Sequence, residues 1–163
     1  MTELLLIRHG ESEGNAGTST DPDCSLTDLG RQQARGLAER LARLDLSGFV
    51  GLTSPYRRAV QTAREITDAT GLAFEEDDAI REWGTTATVN SREYPNEPIE
   101  HVVVRLTEFL RQNQGHKLLI VSHAAPIAIL TQLAWGEPPV TQGQFWLGVG
   151  NCRPRWVKGT GGL

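Results

Sequence analysis

The chain has 163 residues, 39% hydrophobic and 22% charged, with a formal net charge of −4. Those values fit a single globular domain over 1–163 whose core needs no disulfide or metal staple. An acidic balance argues against nucleic acid or an anionic membrane as the main partner, so any phosphate site must be a local positive spot.

The elements follow in chain order. Leu4 to Ile7 is an unbroken apolar run, the pattern of a strand buried on both faces, and it ends in Arg8-His9-Gly10-Glu11. Residues 13–25 are turn-formers and read as a loop. Thr27 is placed to cap a helix in which Ala34, Leu37, Ala38, Leu41 and Leu44 recur at helical spacing. Phe49 to Thr53 is a second strand, after which Ser54-Pro55 predicts an N-cap and an N1 proline for a helix that Gly71 stops. Leu72 to Glu76 reads as a third strand, and 83–98, with two prolines and no period, as an irregular loop. Ile99 to Gln112 is amphipathic, and KLLIVS (Lys117 to Ser122) is a strand ended by His123. Pro126 predicts the start of a helix to about Trp135; Phe145–Val149 and Arg155–Lys158 read as two last strands, and Gly159–Leu163 as a frayed tail.

This strand–helix rhythm implies a mostly parallel sheet covered on both faces by helices. Two cysteines, Cys24 and Cys152, are too few for a secreted disulfide framework and lack zinc-site spacing. The chain opens without a basic segment and long apolar stretch, and LLLI is too short to span a bilayer, so a cytoplasmic location is expected.

Three strand ends repeat one theme. His9 follows the first strand, Ser54 to Arg58 the second, and His123 the KLLIVS strand. In a parallel sheet these ends share an edge, where ligands bind. Imidazole is a competent nucleophile near neutral pH, and guanidinium grips an anion with forked hydrogen bonds. Chemistry on a phosphate group is the expectation. A metal held by His9 and His123 is disfavoured, because arginines beside them repel a divalent cation.

The ordered motifs resemble those of the histidine phosphatase superfamily, which includes the cofactor-dependent phosphoglycerate mutases. RHGE is matched by Arg8 to Glu11 and the following asparagine by Asn15. SLTDLGRQQA (Ser25 to Ala34) is similar to PLTxxGxxQA, and SPYRRAVQTA (Ser54 to Ala63) to SPLxRAxQTA, which aligns the second arginine with Arg58. IRE (Ile80 to Glu82) is similar to the LxE that carries a proton donor. VSHAAPI (Val121 to Ile127) is similar to VSHGGxI, with Ala124 and Ala125 in place of glycines.

The resemblance, closest to the small lidless phosphatase branch, implies a three-layer α/β/α sandwich of the phosphoglycerate mutase-like kind. It implies His9 as nucleophile, Glu82 as proton donor and acceptor, and Arg8, Asn15, Arg58, His123 and Ala124 around the phosphate. Asp77 and Asp78 are substitute acids outside the matching triplet. The implied function is metal-independent hydrolysis of a small phosphate ester through a phosphohistidine, with no cofactor. Alternatives are a mutase, a protein phosphohistidine phosphatase and a non-catalytic phosphoprotein-binding module. The stretch from Glu82 to His123 is short beside the insertion of the mutases, which favours hydrolysis. Specificity is expected from Trp83, Asn90, Arg92 and Tyr94, and from the loop after Asn15, including Ser19 and Thr20.

Overall fold

Alternation along β1 (Glu3–Arg8) divides the interior of the protein in two. Leu4 and Leu6 join one buried cluster, and Leu5 and Ile7 join another. A strand apolar on both sides must be covered on both faces, and the computed structural model, which describes residues 2–159, shows that cover. Helices α1 (Asp28–Leu41) and α2 (Arg57–Thr70) pack on one face. Helices α3 (Ile99–Gln112) and α4 (Ala124–Ala134) pack on the other. Between them lie β2 (Phe49–Thr53), β3 (Phe74–Glu76), β6 (Lys117–Ser122), β1 and β7 (Arg155–Lys158), in the order β3-β2-β6-β1-β7. All pairs are parallel except β1 with β7. The fold is therefore the expected α/β sandwich with a mostly parallel sheet.

The topology locates a ligand crevice without reference to any motif. From β1 the chain leaves through α1 toward β2, while from the neighbouring β6 it leaves through α4 toward β7. Connections departing in opposite directions open a gap at the C-terminal ends of those two strands. Arg8 and Ser122 are the last paired residues there, so His9 and His123 are the first residues beyond the sheet.

Two glycines let helix and loop meet behind that gap. A Cβ on Gly30 would overlap the Glu11 carbonyl, and one on Gly10 would overlap the Gly30 carbonyl. Thr27 accepts a hydrogen bond from the Gly30 N–H at 3.0 Å, the cap expected from the sequence and worth about 1 kcal/mol.

Several local expectations are corrected. Helix α2 begins at Arg57 with Tyr56 as N-cap, and the Ser54 hydroxyl lies one turn ahead of it, accepting from the Tyr56 N–H and meeting His123 Nε2. Helix α4 begins at Ala124, two residues before Pro126, whose missing N–H falls among first-turn donors that lack helical partners in any case. The 83–98 segment is not wholly irregular: β4 (Ala87–Val89) and β5 (Arg92–Tyr94) pair across Asn90-Ser91, both at positive φ. Phe145–Val149 is no strand; Phe145 and Trp146 turn their rings onto Trp83 instead. Leu44 lies beyond α1 and is exposed, and β3 starts at Phe74. Gly159 donates to the Thr2 carbonyl, so it is not frayed, and 160–163 lie outside the described residues. Both cysteines are free and buried. Among the described residues, no helix is long and apolar enough to cross a membrane.

Candidate active site

His9 and His123 meet at the crevice with ring centroids 5.1 Å apart, both buried. The His9 Nδ1 lies 2.7 Å from the Gly10 carbonyl oxygen. A carbonyl only accepts, so Nδ1 carries the proton and Nε2 keeps its lone pair. That lone pair accepts from Arg58 Nε at 3.1 Å. Two anchors fix the backbone here: the Thr62 hydroxyl accepts from the Gly10 N–H, and Asn151 Nδ2 donates to the His9 carbonyl at 2.8 Å.

Arg58, in the first turn of α2, spends each of its three nitrogens on a different partner. Besides His9, it donates to the Pro22 carbonyl at 2.7 Å and to Glu82 Oε2 at 3.1 Å. One rigid guanidinium thus sets the relative positions of the His9 imidazole and the Glu82 carboxylate. Arg8 donates to the Val149 carbonyl, and its Nε is buried without a partner.

His123 follows from similar bookkeeping. Its Nε2 is 2.7 Å from the Ser54 hydroxyl, which already accepts from the Tyr56 N–H. The hydroxyl can give its proton to Nε2, and the Glu82 carboxylate beside Nδ1 favours the ring proton on that nitrogen. That Nδ1 is 3.2 Å from Glu82 Oε2 and has no other partner. With Glu82 as its one neighbouring acceptor, that N–H can be given over to an incoming anion.

Burial pushes the His9 imidazole well below its ordinary value, and the neighbouring His123 and Arg58 push it the same way. Burial also lowers His123, against the pull of Glu82. Glu82 is raised by burial, but His123, Arg58 and the Trp83 N–H outweigh that and hold it well below the usual carboxylate range. The site accordingly pairs neutral imidazoles with an ionised carboxylate.

This has a consequence for stability. In the unfolded chain each imidazole protonates below about pH 6.5, whereas the folded state resists protonation. The stabilisation is complete above that pH and falls below it, by up to about 1.4 kcal/mol per pH unit for each histidine held neutral. The depressed Glu82 acts in the same direction at lower pH. Urea unfolding is expected to give a free energy that declines from pH 7 to 5.5, with a smaller decline in His9→Gln. An equal decline in both proteins would contradict the neutral assignment of His9.

The sequence-predicted residues divide clearly. Arg8, His9, Arg58, Glu82 and His123 converge; Arg8, Glu82 and Trp83 line two adjoining cavities of about 320 and 590 Å³. His9, Asn15, Ser19, Thr20 and Arg58 line the smaller, and Ala124 lines the larger. Asn15 is exposed, and its side-chain oxygen accepts from Ser12 N and Asn151 Nδ2. Asp77 caps a short 3-10 turn, and Asp78 takes the Tyr94 hydroxyl and Arg92, so neither is aimed at the site. Asn90, Arg92 and Tyr94 line neither cavity. Sequence reasoning missed Asn151, and it placed Ser54 and Tyr56 at the second strand end without their contacts: the Ser54 hydroxyl meets His123, and the Tyr56 ring packs on Arg58 and His123. Only their place in the fold reveals them.

Ligand-type atoms of His9, Glu82 and His123 lie within 4.8 Å of one another, a spacing some metals accept. Yet Arg58 donates to the His9 Nε2 and Glu82 Oε2 that a metal would need, and adds a positive charge between them. The donor set suits an anion better.

Residues 4–94 match the family described as histidine phosphatase superfamily (branch 1). An uncharacterized phosphatase of Bacillus subtilis is 34% identical over 157 residues, covering 85% of this chain and 80% of its own length. A probable phosphoglycerate mutase of an Enterobacter species is 31% identical, covering 85% and 77%. Among solved structures, a mycobacterial glucosyl-3-phosphoglycerate phosphatase superposes with TM-score 0.67 at 20% identity, over 96% of this chain and 98% of the other. Phosphoserine phosphatase of Entamoeba histolytica gives 0.69 at 21%, over 96% and 90%. On this match and on its relatives, the chain belongs to the histidine phosphatase superfamily.

Proposed function

We propose that the protein hydrolyses small phosphate monoesters through a phosphohistidine on His9, without a metal ion. The observation that carries this reading is the single guanidinium of Arg58 bonded to both His9 Nε2 and Glu82 Oε2. It sets nucleophile, anion clamp and proton carrier around one point.

On substrate entry the phosphate draws the donors of Arg58 away from His9 and releases the Nε2 lone pair. Arg8, Arg58, the His123 Nδ1–H and the first turn of α4 at Ala124 hold the nonbridging oxygens, and Asn15 borders them. The charge of the phosphate also opposes that of Glu82 and competes for Arg58, which raises the carboxylate pKa until it takes a proton. Nε2 then forms a bond to phosphorus as the ester P–O bond breaks, and Glu82 gives its proton to the departing alkoxide. In the second half, Glu82 takes a proton from water, whose oxygen bonds to phosphorus as the P–N bond breaks. His9 returns to its neutral tautomer and phosphate leaves.

Two observations favour water over return of the phosphoryl group to an alcohol. Glu82 remains one-fifth exposed, within reach of solvent. The 83–98 segment forms the β4–β5 hairpin, whose residues 87–94 line neither cavity and so do not cover the site. Phosphate release from an aryl phosphate in the presence of a chelator is the direct assay. Activity is expected to be unchanged by chelation; complete loss, restored by a divalent ion, would overturn the reading.

Glu82→Gln separates its role from simple binding. Alkyl phosphates, whose alkoxides leave poorly without a proton, are expected to lose roughly 10²–10⁴ in kcat/KM. Aryl phosphates with a nitrophenolate leaving group are expected to lose far less. An equal drop across a leaving-group series would remove Glu82 as the acid.

A further inference from the structure

The cavity of about 590 Å³ beside the phosphate pocket is not explained by phosphoryl transfer itself. It shares Arg8, Glu82, Trp83 and Gly84 with the smaller cavity that contains His9 and Arg58. Glu82 stands at their junction, so the ester oxygen it protonates must be joined to a group lying in the larger space. That volume is in the range of small-molecule sites.

One wall is aromatic and apolar, and Asn96 adds an amide to the border. Trp83 and Trp146 lie 6.0 Å apart between centroids at 65°, and Phe145 braces Trp146 from 4.9 Å. The Trp83 indole N–H donates to the Glu97 carbonyl at 2.9 Å, which fixes the ring. Pro98, Ile99, Ala124 and Ala125 complete the apolar lining. The charges are as informative. Arg8 is the one cation in the lining and belongs equally to the phosphate pocket; Glu82 and Glu97 are the acids. The Glu97 side chain is already held by Arg81 and Arg105 from behind, so neither of those arginines is free to greet a ligand.

Resting on the phosphoester reading above, the geometry points to a leaving group that is an uncharged alcohol with an aromatic or bulky apolar body. A carboxylate-bearing alcohol, such as that of phosphoglycerate or phosphoserine, finds an apolar wall and no spare cation here, since Arg8 is shared with the phosphate pocket and Arg81 and Arg105 are spent on Glu97. It is selected against. Trp146 is then a specificity-determining residue, since it lines the larger cavity and not the smaller one.

The test measures binding to His9→Ala by calorimetry, with 2-phenylethyl phosphate, ethyl phosphate and 3-phosphoglycerate as probes; wild-type turnover of the same esters is read separately. All three present primary or near-primary alkoxides, so leaving-group chemistry does not set the order. The phenylethyl ester is expected to bind about tenfold more tightly than either of the others. Adding Trp146→Ala should shrink that preference to within about threefold, and Trp146→Arg should shift it toward 3-phosphoglycerate even if the alanine variant folds poorly. Equal or tighter binding of 3-phosphoglycerate, or a preference untouched by both substitutions, overturns the inference. Turnover without the binding preference removes this inference alone, and the preference without turnover removes hydrolysis alone.

Discussion

His9→Ala is expected to abolish turnover, while His123→Ala retains a measurable remainder about 10²–10³ below wild type. Both imidazoles are buried and neighbours across the same crevice, so the difference comes from bonding rather than exposure. His9 has its Nδ1 proton committed to the Gly10 carbonyl and a lone pair at Nε2, the one arrangement that makes a bond to phosphorus. His123 offers an N–H at Nδ1 and its other nitrogen is taken by Ser54, so in the proposed mechanism its part is charge stabilisation. Steady-state phosphate release on one aryl ester reads both variants. Comparable losses in the two would mean that the assignment of roles is wrong.

Arg58→Ala is expected to cost at least as much as His123→Ala, and Arg58→Lys is not expected to rescue it. The guanidinium reaches His9, Pro22 and Glu82 with three nitrogens in one plane. An ammonium is a point charge and holds no such fork. Arg58→Ala also removes a charge that lowers both His9 and Glu82, so the acid limb of its pH–rate profile should move upward, and less so in Arg58→Lys, which keeps the charge. A lysine variant with near wild-type kcat/KM would show that charge alone is needed.

The sheet was legible because its strands are apolar runs with clean ends; Phe49–Thr53 and Lys117–Ser122 match their expected bounds. Ile99–Gln112 was equally plain, since its apolar residues keep a helical period over four turns. The β4–β5 hairpin was not, because Asn-Ser is a weaker turn signal than Asn-Gly and each strand has three residues. The Phe145–Val149 run has strand-like composition, but its aromatic rings are used against Trp83, a contact from the far end of the chain.

The motif residues carried two kinds of information that the sequence does not distinguish. Arg8, His9, Arg58, Glu82 and His123 reach the crevice. Gln33, Gln61 and Thr62 instead accept hydrogen bonds from the Glu11, Leu26 and Gly10 N–H groups, and so hold loops against α1 and α2. Ser54 has the residue type of a helix cap, and its hydroxyl both accepts from the Tyr56 N–H and meets His123 Nε2, a second contact that residue type does not signal. Asn151 is far from every motif and reaches His9 only through the return of the chain along β1.

The covalent intermediate is the most direct test of the account. Glu82→Gln, mixed with an aryl phosphate and quenched in base within a turnover, should carry a phosphoryl group on His9 that is stable to alkali and lost in acid. The same enzyme should hydrolyse a chiral phosphate ester with net retention at phosphorus, the product of two in-line displacements. Inversion at phosphorus, with no phosphoryl group on His9 at any quench time, would mean direct attack by water and would contradict the mechanism.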